Sequence, residues 1–203
     1  MKKYAVLHEP GDIVTLAGTR FVVLDVERRG SLPDSLFLLA LESVGTSEFG
    51  NSNNYAESDL KKAVDKWLED MGKRGLDNAK LISREIDLTT LDGSGRYGKL
   101  SVKAAPLTLD EARKYADIIP NAKQWCWMAT GWSSPSKSDG DFALCAYSNG
   151  GWSPYNCSSS SGIRPALKVP SILFEDSEAG LDLSKIPTDD LIQEIHRRLA
   201  GKA

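Results

Sequence analysis

Residues 141–169 read DFALCAYSNGGWSPYNCSSSSGIRPALKV, and this stretch decides what kind of protein the chain is. A short apolar run, residues 142–147, leads into a segment dense in Ser, Asn, Gly, Tyr and Trp. A second apolar run, residues 162–169, closes it. Tyr and Trp offer large contact area at low entropic cost, and Ser, Asn and Gly offer adaptable hydrogen bonding, so the middle has the composition of a binding surface. The stretch divides into a framework strand (residues 142–146), a displayed segment (147–161) and a locking strand (162–169). The candidate ligand-binding residues are Tyr147, Ser148, Asn149, Trp152, Ser153, Tyr155, Asn156, Ser158, Ser159 and Ser160. Tyr147 and Trp152 stay open between display and hairpin core, because strand alternation hides every second residue. Arg164 reads as scaffold: a guanidinium inside a strand is costly to bury unless a carboxylate or carbonyls satisfy it.

The run just upstream, residues 125–132, reads WCWMATGW. Trp125 and Trp127 share one parity of a strand, and at least one of them belongs to the core. Trp132 follows Gly131 and precedes Ser133, Ser134 and Pro135, so it is the Trp expected at the surface and joins the candidate site. Residues 11–26 alternate as a hairpin around Gly18 and Thr19. Residues 35–44, rich in Leu and Phe, read as a strand buried on both faces. Leu60, Ala63, Val64, Trp67, Leu68 and Met71 recur at the spacing of one helical face, with Ser58 as N-cap and Gly72 and Gly75 at the stop. Trp67 on that stripe is expected to anchor the core. Residues 81–91 are irregular with one strand, and residues 92–95 form a turn lacking the Walker lysine of a phosphate loop. Thr108 and Glu111 form a capping-box pattern that opens a short helix.

Composition bounds the function. The chain has 203 residues, 41% hydrophobic and 26% charged, with a formal net charge of −3. That is ordinary for a soluble globular protein and gives nucleic-acid binding no electrostatic support. The apolar run after Met1 is too short for a signal peptide, and none approaches the ~20 residues of a membrane-spanning helix. The expectation is cytoplasmic synthesis, no membrane insertion and no nucleic-acid partner. Cys126, Cys145 and Cys157 form no zinc pattern, and free thiols are expected, with a Cys145–Cys157 bridge as the alternative. His8 and His196 have no local partner that suggests a triad or a metal site. Asp139 and Asp141 are the best-placed acids, and a calcium ion held with backbone carbonyls is their only metal reading. No cofactor is expected, and the chain reads as a binding protein rather than an enzyme.

The motifs resemble a widespread uncharacterised domain family of gut bacteria and their phages. Residues 162–167, GIRPAL, resemble its closing G-[VIF]-R-P-A-L signature. Residues 21–26, residues 55–60 with Trp67 and Leu68, residues 106–112 and residues 125–128 resemble its other motifs, in the family's order. The resemblance spans about residues 10–170. It implies an α+β, C-type lectin-like fold of the sulfatase-modifying-factor (formylglycine-generating-enzyme) kind, with short antiparallel strands, two packed helices and much irregular loop. The same fold carries the variable proteins of diversity-generating retroelements, in which a C-terminal segment is hypermutated at adenines and displayed. Residues 147–161 are similar to such a segment. Ala129 stands where the family usually has Arg, so any salt bridge made there is lost or replaced. The enzyme relatives need a close pair of active cysteines or a histidine cluster, neither of which this chain has, and fold alone does not confer activity.

The domain is thus expected over residues 1–170, followed by an acidic linker (171–186) and an amphipathic C-terminal helix (187–203) capped by Thr188, beyond the family's usual end. The expected function is a ligand- or receptor-binding display protein, phage- or prophage-associated, whose partner is a protein or carbohydrate on a cell surface, with virion association implied. The alternatives are a structural component of a phage or cell-surface assembly, oligomerising or docking through the C-terminal helix, and a degenerate enzyme of the same fold.

Overall fold

Phe21 and Val23 fall on one side of a strand, Val22 and Leu24 on the other, and all four are buried. That double burial requires packed layers on both faces of the sheet. The computed structural model describes residues 8–29, 32–134 and 140–174, so the C-terminal helix and most of the linker lie outside the described residues. In chain order the elements are β1 (Ile13–Leu16), β2 (Thr19–Arg29), β3 (Leu32–Ala40), β4 (Thr46–Glu48), α1 (Asp59–Lys73), β5 (Arg84–Asp87), β6 (Lys99–Val102), β7 (Ala104–Pro106), α2 (Leu109–Lys114), β8 (Cys126–Gly131), β9 (Phe142–Ala146), β10 (Trp152–Asn156), β11 (Ser160–Gly162) and β12 (Pro165–Pro170). The architecture is α+β. No helix among the described residues is long and apolar enough to cross a membrane.

The first sheet has the order β1-β2-β3-β12-β7 and is antiparallel throughout. Its two faces feed different cores. Phe21, Val23, Leu36, Leu38, Leu167 and Val169 enter the main core, whereas Val22, Leu24, Phe37, Leu39 and Ala166 pack against Leu107 and Tyr115 on the other side. The second sheet has the order β10-β9-β8-β11-β4. Its Trp127, Ala129, Ala143 and Cys145 face the main core, while Met128 and Leu144 pack under α2 against Leu109. Trp127 is 2% exposed, and its indole N–H donates to Ser47 O at 2.8 Å, tying β8 to β4. β5 and β6 pair as a separate ribbon.

The helices follow the sequence pattern. α1 buries Leu60, Val64, Leu68 and Met71, and the Ser58 hydroxyl accepts the Lys61 N–H at 2.9 Å, satisfying one orphan donor of the first turn. Trp67 is half-buried at the edge of this stripe, 6.4 Å from Phe21, and is thus an anchor at the core margin. α2 is opened by the full capping box of Thr108 and Glu111.

Two expectations are corrected here. Residues 162–169 are not one locking strand. β11 belongs to the second sheet and β12 to the first, and only Ile163 and Arg164 separate them. Nor are residues 147–161 displayed throughout. β10 is a sheet edge within that segment, and Cys157 and Ser161 are buried.

Candidate binding face

β9 and β10 form a hairpin whose register pairs Trp152 with Ala146 and Asn156 with Phe142. Its loop is closed by the Tyr147 N–H on Gly151 O at 2.6 Å and the Gly150 N–H on Tyr147 O at 3.1 Å. This is the three-residue hairpin loop, Ser148, Asn149 and Gly150, in which the last residue must take positive φ. Gly150 does so, at φ 86°. The Asn149 side chain accepts the Gly151 N–H at 3.1 Å, which stiffens the tip. Pro154 in β10 has no N–H to offer, so this edge is poorly suited to pairing with another strand. This edge offers side chains rather than backbone to its surroundings.

Alternation then sorts those side chains. Ser153 and Tyr155 lie on the face of Cys145, Ala143 and Trp127. Trp152 and Pro154 lie on the face of Ala146 and Leu144. Trp152 is 42% exposed, and the Arg113 guanidinium sits 5.9 Å over its ring. Tyr147 and Tyr155 are half-buried.

Trp125 was not anticipated as a site residue, and it is the centre of the face. It stands one residue before β8, is 43% exposed, and lies 4.3 Å from the Tyr147 ring at an interplanar angle of 36°. Tyr155 meets it edge-on at 5.5 Å and meets Trp127 at 5.6 Å. Trp127 in turn meets Phe49 edge-on at 5.4 Å. A continuous row of rings therefore runs from the surface into the core. The shared parity of Trp125 and Trp127 hinted at this, but the end of the strand, which frees Trp125, was not legible.

Trp132 does not join this face. It packs, half-buried, against the cluster of Leu109, Met128 and Leu144, and its N–H donates to Phe142 O. Phe142 is five residues from Tyr147, about 17 Å along an extended chain. Asn156 and Ser158 lie at that same far end and satisfy each other. Asn156 Oδ1 accepts the Ser158 N–H at 3.0 Å and its hydroxyl at 2.7 Å. The Ser159 N–H donates to Asn156 O. Ser160 lies on β11, three strands from β10, and pairs with Glu48 on β4. The candidate residues thus fall into a near cluster (Tyr147, Ser148, Asn149, Trp152, Ser153, Tyr155, with Trp125) and a remainder that is dispersed.

The far end is held by Asn53, a second residue the sequence did not single out. Its amide donates to Ser133 O at 2.7 Å and Phe142 O at 2.8 Å, and its Oδ1 accepts the Tyr97 hydroxyl at 2.7 Å. Asp141 is exposed, its carbonyl accepts the Cys157 N–H, and Asp139 lies outside the described residues. Among the described residues no group of three or more His, Cys, Asp or Glu could hold a metal ion.

The cysteines are free and buried, and no Cys145–Cys157 bridge forms. Cys145 Sγ lies 3.1 Å from Ser161 Oγ. Burial pushes the Cys126 and Cys145 thiols up to about 11 and the Cys157 thiol up to about 12. Comparison with protein-family models, curated proteins and solved structures finds no match to this chain.

The thiols give a direct check. At pH 8 each is overwhelmingly protonated, and the thiolate is the reactive form. A thiol-reactive chromogenic disulfide is expected to modify none of the three within minutes in the native protein, and all three in urea without reductant. Fewer than three in urea would reveal a bridge. These protons are held more tightly in the folded state, so the associated stability is complete below the ordinary thiol value of 9.0 and is lost as pH rises through about 11–12.

Proposed function

We propose that this protein is a non-catalytic recognition protein that presents an aromatic and polar face on a C-type lectin-like scaffold. The observation that carries the reading is the exposed Trp125–Tyr147 stack, flanked by Tyr155 and rooted through Trp127 in the core. Rigid aromatics with few torsions make strong contacts at low entropic cost, and neighbouring Ser148, Asn149 and Ser153 supply neutral hydrogen bonds. The ring pair and the neutral side chains of Ser148, Asn149 and Ser153 beside it favour a neutral ligand, a carbohydrate or a polar protein surface on a cell. The lectin-like reading draws on the five ordered motifs and is compatible with two sheets of mainly antiparallel strands flanked by two helices.

In this reading the chain is phage- or prophage-associated, and residues 147–161 are a retroelement-diversified segment. Diversification then acts on exposed positions such as Ser148, Asn149, Trp152 and Ser158. Cys157 and Ser161 stay fixed because both are buried and both hold other parts of the chain.

Two outcomes test the proposal. On an array of bacterial surface oligosaccharides, and on whole bacterial cells, the wild-type chain is expected to bind. Trp125→Ala is expected to weaken that binding by about 10- to 30-fold, the range of an aromatic hot spot. Its melting temperature should stay within about 4 °C, since the lost ring contacts amount to roughly 1 kcal/mol. Undiminished binding by the folded variant would refute the face. For diversification, the genome should hold a reverse-transcriptase gene and a near-copy of the coding segment for residues 141–169, mismatched at template adenines. Mismatches at other bases would contradict it.

A further inference from the structure

Behind the hairpin tip, between the two sheets and under α2, lies an open cavity of about 130 Å³. Its walls are apolar: Leu39, Leu107, Ile119, Met128 and the rings of Tyr147 and Trp152. An apolar cavity of roughly 150 Å³ is enough to hold a benzene molecule. The one formal charge lining it is Arg164, which is 8% exposed.

The satisfaction of that guanidinium is incomplete. Nε donates to Ala40 O at 2.8 Å and Nη2 to Leu41 O at 3.2 Å. Nη1 makes no hydrogen bond among the described residues, nor is it one of the sealed polar atoms that lack a partner. No carboxylate lies within ion-pair distance of Arg164 among the described residues. The acid that acts on it electrostatically, Glu42, is itself paired with Lys123 at 3.1 Å. A buried cation held only by carbonyl dipoles is costly, and a carboxylate reaching it makes a strong charge-assisted bond. Arg113 stands 5.9 Å from the ring of Trp152, one of the lining side chains.

We propose that this cavity binds a small apolar carboxylate, its ring or short acyl chain among Leu39, Leu107, Ile119 and Met128, and its carboxylate on Arg164 Nη1. A volume of about 130 Å³ takes one ring or a chain of similar size, which points to a free acid rather than a polymer. The inference rests on the recognition reading and gives it a second ligand, seated directly behind Tyr147 and Trp152. Occupancy would fix both side chains from below and so couple to the outer face.

The experiment is calorimetric titration of the full chain with benzoate, phenylacetate and hexanoate, each against its matched amide. At least one acid is expected to bind at least tenfold more tightly than its amide. Arg164→Gln should abolish that preference. Because this variant may fail to fold, Ala116→Phe is the second arm: Ala116 is exposed at the cavity rim, and a ring there closes the entrance. It should weaken acid binding more than tenfold in a folded protein. Equal affinity for acid and amide, no binding at millimolar concentration, or unimpaired binding by Ala116→Phe overturns the inference. Tighter binding of a peptide ending in a free Phe carboxylate than of phenylacetate overturns the assignment to a free acid. Trp125 does not line the cavity, so Trp125→Ala separates the two ideas. If acids fail to bind while surface binding still depends on Trp125, the inference fails alone. If acids bind but nothing depends on Trp125, the surface reading fails alone.

Discussion

The chain leaves one sheet and enters the other within two residues, and the rest of the structure depends on that crossing. Gly162 must approach the start of β8 closely: a Cβ there would lie 2.7 Å from Trp125 O and 2.9 Å from Cys126 Sγ, so no other residue fits without a shift. Ile163 then exchanges backbone hydrogen bonds with Val44 and Gly45, and its side chain enters the main core. Arg164 clamps the carbonyls of Ala40 and Leu41 where β3 ends. Pro165 starts β12 against Pro106. Each letter of the Gly-Ile-Arg-Pro sequence has its own steric or electrostatic task, and together they fix the two sheets relative to each other.

The candidate binding face is attached to that junction. Gly162 donates its N–H to Trp125 O, and Ser161 Oγ donates to the same carbonyl, so the crossing holds the residue at the centre of the aromatic stack. Trp125 then orients Tyr147 and Tyr155, and Tyr155 leans on Trp127. The guanidinium that bridges the junction also lines the apolar cavity. Scaffold and site thus share residues.

Much of this was legible, and what was not has physical causes. The α1 stripe, its Ser58 cap and the Thr108–Glu111 capping box are local features, and local features survive into the fold. The double burial of β3 was readable from its unbroken apolar run. Arg164 was read as a scaffold residue needing a buried carboxylate or carbonyls, and it is carbonyls that it meets. The split of residues 162–169 was not readable, because both halves are strands and the sequence does not state which sheet each one joins. Trp132 and Trp125 exchanged roles for a related reason. Local turn signals placed Trp132 at the surface, yet the apolar patch under α2, assembled from residues distant in sequence, covers it. Asn53 carries no signal at all, since Ser133, Phe142 and Tyr97, which its side chain bonds, lie 44 to 89 positions away.

The junction opens only with the whole fold and anchors Trp125, whereas the Gly150–Gly151 turn beyond it is closed by bonds local to the hairpin. Native-state hydrogen exchange resolved by residue tests this contrast most directly. The amides of Val44, Gly162 and Ile163 should exchange only through global unfolding, with a urea dependence matching the equilibrium transition. Those of Gly150 and Gly151 should exchange by local opening, at least about a hundredfold faster. Junction amides that exchange as readily as the tip, with little urea dependence, would contradict the account.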